Sequence, residues 1–128
     1  ADVGLGKMVP LGLLGDGIVR LAHILLAGCE ADGGLLLVDE LDTGLHHAIL
    51  VEAWRTIAQS LRNADAPVQL FATTHSYECM AAAHRAFADH PGDFSMHRLE
   101  RSPGGIIESH DFGHEDLGTA LDLGFEVR

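Results

Sequence analysis

The sequence predicts an α/β fold, with at least two short parallel strands flanked by helices, on three observations. Leu35-Leu36-Leu37-Val38 and Val68-Gln69-Leu70-Phe71-Ala72 have the length and apolar content of buried strands. Around them, apolar residues recur at helical spacing. Polar and charged residues cluster directly after each strand, where open parallel sheets bind their ligands.

Taken in order, residues 4–14 are glycine-rich and apolar and read as strand or loop. Ile18, Leu21, Ala22 and Leu25 predict a helix over 17–28, with Asp16 as its N-cap and Gly28 as its stop. Asp32-Gly33-Gly34 is a turn, and 35–38 a strand buried on both faces. A second helix over 47–62 has the stripe Leu50, Ala53, Trp54, Ile57 and Leu61, and Ala66-Pro67 breaks it. Strand 68–72 leads into a helix capped by Ser76 and running to about 88, which His90-Pro91-Gly92-Asp93 ends. Strands over 94–99 and 106–109 form a C-terminal β-hairpin through the turn Ser102-Pro103-Gly104-Gly105, and a last helix fits 115–123. No repeat or linker interrupts the pattern, so 1–128 reads as part of a single domain.

Composition narrows the function. Among 128 residues, 47% are apolar and 21% charged, as in ordinary globular domains. The net charge of -11 argues against this segment gripping a phosphate backbone, which leaves nucleic acid as a partner only through regions outside it. Cys29 and Cys79 lack CxxC spacing and read as reduced core residues of a cytoplasmic protein rather than a disulfide. The longest apolar stretch, 18–27, contains Arg20 and His23 and is too short to span a bilayer, so no membrane association is expected.

Three motifs hold the chemistry. Asp39 and Glu40 emerge at the end of the first strand. Magnesium-dependent nucleotide hydrolysis needs one carboxylate to hold the hydrated metal and another to take a proton from water. The same pattern also fits a strand followed by an acidic turn. His75, in Thr73-Thr74-His75-Ser76 after the second strand, can donate to a phosphate beside a helix N-terminus; equally, Thr74 or Ser76 simply caps that helix. Gly15-Asp16-Gly17 opens the first helix and suits close approach to an anion, or ordinary capping. His46 and His47 beside Asp42 resemble a metal site, but adjacent histidines do not share a helix face as an i, i+4 pair does. Cys79, at a helix start, has no paired base and reads as packing.

The order of these motifs, with Thr43-Gly44-Leu45-His46 directly after the Asp-Glu pair, resembles the second half of an ATP-binding-cassette-type, AAA-family ATPase. The likeness covers 10–87 and is strongest to the soluble branch with the structural-maintenance-of-chromosomes, DNA-repair and overcoming-lysogenization-defect ATPases. It implies a partial P-loop NTPase sheet and ATP with Mg2+ as ligands in the intact protein. Asp39 would bind magnesium through water, Glu40 would be the catalytic base, and His75 would sense the γ-phosphate. Gly15, Asp16 and Gly17 would face the nucleotide of a second copy, and Thr43, Gly44 and His46 would form the D-loop joining two sites in an ATP-sandwich dimer.

Two departures qualify the likeness. Gly15 replaces the family's serine, which removes a hydroxyl from the signature. No GxxxxGK[ST] loop exists, for the single lysine, Lys7, sits in Gly4-Leu5-Gly6-Lys7-Met8. The Walker A half is therefore absent from this chain, which alone is expected to be inactive. The implied sheet order places the missing Walker A strand on the free side of 68–72, and the open edge predicts self-association, or inward pairing of 94–99. A non-catalytic interaction module with the same fold is the second reading, and a metal-dependent hydrolase the third.

Overall fold

In the computed structural model, the described residues are 4, 6, 8–31 and 33–124. Leu5 and Lys7 of the glycine-rich start, and Asp32 of the expected turn, lie outside them. The chain forms two compact units, residues 1–74 and 75–128.

The first unit contains α1 (Asp16–Glu30), β1 (Leu35–Val38), α2 (Leu50–Arg62) and β2 (Gln69–Ala72). One 3-10 turn, Leu11–Leu13, precedes α1, and another, His47–Ile49, leads into α2. β1 and β2 pair in parallel, with Leu35 opposite Gln69 and Val38 opposite Ala72. The α/β class and the parallel pair are as the sequence predicts.

α2 buries Leu50, Ala53, Trp54, Ile57 and Ala58, an unbroken i, i+3, i+4, i+7, i+8 stripe. In α1 the fully buried residues are Gly17, Ile24 and Gly28; of the expected row, Leu21, Ala22 and Leu25 are half-buried and Ile18 is exposed. Gly28 does not stop the helix. It lies inside α1, where an added Cβ would sit 3.0 Å from Leu61 of α2, so its missing side chain lets the two helices approach. Asp16 is the first helical residue, and Gly15, at φ 92°, occupies the cap position without a side-chain bond.

The expectation that 35–38 is buried on both faces is corrected. Leu35, Leu37 and Phe71 are 55%, 70% and 49% exposed on one side of the β1–β2 ribbon. The sheet has two strands among the described residues.

The second unit contains α3 (Tyr77–Ala86), β3 (Ser95–Arg101), β4 (Ile107–Gly113) and α4 (His114–Asp122). Ser76 caps α3, its Oγ accepting the Cys79 N–H at 3.1 Å, which matches the sequence reading. Cys79 is fully buried, as expected, whereas Cys29 is exposed and not a core residue; neither forms a disulfide among the described residues. β3 and β4 form an antiparallel hairpin, with Ser95 opposite Gly113 and Arg101 opposite Ile107. β3 thus takes β4 as its partner, rather than extending the parallel pair. Met80, Leu117 and Ala120 form a small core, flanked by Phe94, Met96, Phe112 and Leu121.

Two histidines tie α4 to α3. The His84 and His114 rings stack at 4.1 Å, and His114 Nε2 lies 2.7 Å from the His84 carbonyl oxygen. Burial, then the neighbouring His114 charge, hold His84 below the ordinary histidine value, against smaller opposing pulls from the backbone hydrogen bond with His114 and from Asp122. The unfolded chain therefore binds this proton more readily. Stability from this pair is fully present above about pH 6.5 and declines as pH falls through the folded-state value. His84→Gln is expected to flatten the acid limb of a denaturation-midpoint profile between about pH 7 and 5. An unchanged slope would remove His84 as its source.

Candidate functional site

The parallel register builds the site. Because Val38 lies opposite Ala72, the next residues, Asp39 and Thr73, meet where the strands end. Thr73 Oγ1 donates to Asp39 Oδ1 at 2.5 Å and accepts the Glu40 N–H at 2.9 Å. The Thr73 N–H donates to the Val38 carbonyl at 3.0 Å, and its own carbonyl accepts the Leu41 N–H at 3.0 Å. One threonine thereby fixes four consecutive residues of the β1 exit. Leu41, fully buried, anchors the far side.

Glu40 adopts φ 47°, the one positive value at a non-glycine position among the described residues. Such a conformation costs about 1–3 kcal/mol and persists only where its surroundings enforce it. Here they include the Thr73 bond, a Thr43 Oγ1 bond to Glu40 Oε2 at 3.1 Å, and Arg20 of α1. Arg20 Nη2 donates to the carbonyl oxygens of Asp39 at 2.5 Å and Glu40 at 3.0 Å. Glu40 Oε1 accepts no hydrogen bond among the described residues. The carboxylate of this strained residue is held on one oxygen and, among the described residues, open on the other.

A groove of about 670 Å³ runs beside this corner, lined by Asp16, Arg20, Leu37, Asp39, Glu40 and Thr43 among others. Gly15 and Asp16 are exposed at the start of α1, whereas Gly17 is buried. A Cβ on Gly17 would lie 2.1 Å from the Gly44 carbonyl oxygen, and Gly44 itself has φ 78°. Two glycines thus let the helix start touch the loop after β1 backbone to backbone. His46 caps the following 3-10 turn, its Nδ1 accepting the Ala48 N–H at 3.3 Å, and its ring lies 4.1 Å from that of His47. Asp42 Oδ1 accepts from Thr74 at 2.5 Å. His75 is exposed between β2 and α3, at the start of the second unit.

Asp39, Glu40, Thr43, Gly44 and the Gly15–Asp16–Gly17 helix start therefore gather in the first unit. Sequence reasoning missed Arg20 and Thr73. Arg20 stands one turn after Asp16, on the same side of α1, and Thr73 follows the residue that pairs with Val38; a strand alignment at the sequence level points to Thr73, but nothing there points to the Arg20 carbonyl clamp.

The parallel pair carries two carboxylates just beyond its carboxyl end, where open α/β sheets bind their ligands. The chain belongs to the family described as AAA domain, putative AbiEii toxin, Type IV TA system, whose model matches residues 2–81. It is also similar to a Helicobacter pylori protein named "ATP/GTP phosphatase", at 36% identity over 75 residues. That alignment covers 56% of this chain and 20% of the relative, so the chain spans about a fifth of the relative's length. No solved structure matches significantly. No helix among the described residues is long and apolar enough to cross a membrane.

Proposed function

We propose that this chain is the catalytic-carboxylate half of an ATPase of the ATP-binding-cassette type, acting in the cytoplasm. The observation that carries the reading is the strained Glu40 beside Asp39 at the β1 exit, braced from three sides. Family membership and the relative's name support nucleotide hydrolysis.

The donors fit magnesium rather than a transition metal. The candidate first ligand is a carboxylate with a hydroxyl beside it, and no cluster of three or more His, Cys, Asp or Glu among the described residues could cage an ion. Magnesium in nucleotide enzymes takes one or two carboxylates and leaves its other positions to water and phosphate. Asp39 would hold it through water, with Thr73 orienting the carboxylate. Bound Mg-ATP supplies the electrophilic phosphorus and the charge that stabilises the leaving group. Glu40 accepts the proton of the attacking water on Oε1 while Thr43 steadies Oε2. His75 donates a hydrogen bond to the γ-phosphate. Gly15 and Asp16 face the nucleotide of a second copy, and Thr43, Gly44 and His46 connect the two sites.

The phosphate-cradling loop has no counterpart in the sequence, so it belongs to residues outside this chain. Calorimetry of the 128-residue chain with Mg-ATP is expected to show no binding tighter than millimolar, while the full-length protein binds and hydrolyses it. A micromolar dissociation constant for this chain, or no turnover by the full-length protein, would refute the assignment.

Exposed Leu35, Leu37 and Phe71, beside strand edges unpaired among the described residues, support self-association of the isolated chain. Light scattering across a tenfold dilution is expected to show dimers that dissociate. A monomer at every concentration would sink the idea.

A further inference from the structure

We propose that Arg20 is a positioning residue that couples the start of α1 to the Glu40 carboxylate; this rests on the ATPase reading above. Arg20 lies within reach of two carboxylate residues yet pairs with neither carboxylate, donating instead to the Asp39 and Glu40 carbonyl oxygens. Both carboxylates are thereby left available for chemistry while their backbone is clamped. The clamp grips the segment whose φ of 47° needs outside enforcement.

Stability alone does not account for this arrangement. Arg20 Nε is shielded from solvent and has no hydrogen-bond partner among the described residues, which subtracts from stability. The helix also touches the loop after β1 a second time, where Gly17 meets Gly44. α1 therefore holds both ends of the 39–44 segment, at Asp39–Glu40 and at Gly44. A displacement of the exposed Gly15–Asp16 turn, such as a nucleotide on a second copy would cause, moves the Glu40 backbone with it. Arg20 is the polar link in that path, and it touches no reacting atom.

The test is steady-state ATP hydrolysis by the full-length protein with Arg20→Met, Arg20→Lys and Glu40→Gln. Arg20→Met is expected to lower kcat at least tenfold with KM for ATP within twofold of the parent, since clamping acts on the base and not on binding. Arg20→Lys keeps the charge, but its ammonium ends one bond short of Nη2, the nitrogen that donates to both carbonyls, and it is expected to recover only part of that loss. If Arg20→Met does not fold, Arg20→Lys decides alone: a several-fold lower kcat at unchanged KM supports the coupling. Parental kcat in either folded variant, or a raised KM at parental kcat, overturns it. Glu40→Gln separates the two failures. If that variant is inactive while Arg20→Met matches the parent, the coupling fails and the ATPase reading stands; if Glu40→Gln stays active, the reading itself falls.

Discussion

Glu40→Gln in the full-length protein is expected to retain Mg-ATP binding while turnover drops about 10²–10⁴-fold, the usual contribution of a positioned general base. The substitution is sharp because little else changes. Glutamine has the same shape, and its amide oxygen still accepts the Thr43 hydroxyl that now reaches Glu40 Oε2. The backbone bonds from Thr73 and Arg20 involve the peptide N–H and carbonyl, so they persist. What disappears is the capacity of the second oxygen to take a proton from water. Single-turnover hydrolysis at saturating nucleotide, beside an equilibrium binding measurement, separates these effects. Turnover within twofold of the parent would mean that Glu40 is not the base, whatever its strain implies.

Gly17→Ala is expected to destabilise the 128-residue chain by about 3 kcal/mol, at the upper end of overpacking costs. The new methyl would lie 2.1 Å from the Gly44 carbonyl oxygen and 2.8 Å from its carbonyl carbon. Both are backbone atoms, so no rotamer change relieves the clash. Gly44, at φ 78°, is poorly placed to shift because its own conformation belongs to glycine. Relief requires α1 to lift from the loop after β1. Two neighbouring glycines provide controls. Gly12 has open space around it and an ordinary φ, so Gly12→Ala should stay within about 1 kcal/mol of the parent. Gly15 also has open space but φ 92°, and Gly15→Ala should cost about 1–3 kcal/mol through backbone strain alone. Urea denaturation of the three variants ranks them; Gly17→Ala no worse than Gly15→Ala would show that the helix start and the loop are not in contact.

Much of the local structure was legible from residue patterns. Leu35 to Val38 announced a strand, and Asp39-Glu40 marked its exit. The α2 stripe from Leu50 to Ile57 is the buried face, and Ser76 caps α3. Helix ends were less legible. Gly28 reads as a stop because glycine is a poor helix former, yet in α1 its value is the absence of a side chain facing Leu61. Periodicity reports that α1 has an apolar side, while the packing partner selects which of its residues is fully covered, Ile24 and not Ile18.

The sequence by itself determined the α/β class, the parallel pair of strands, the position of the two carboxylates and the family resemblance. These follow from short-range chemistry: strand length, helical period, turn residues and a motif order read along one line. Tertiary structure alone decided that Thr73 meets Asp39, that Arg20 grips carbonyls and not carboxylates, that Gly17 closes on Gly44, and that one face of β1 and β2 stays exposed. Each of these depends on residues from 19 to 34 positions apart arriving within hydrogen-bond or contact distance, or on what fails to arrive over an apolar face. Packing sets those distances, and no periodicity along the chain encodes them.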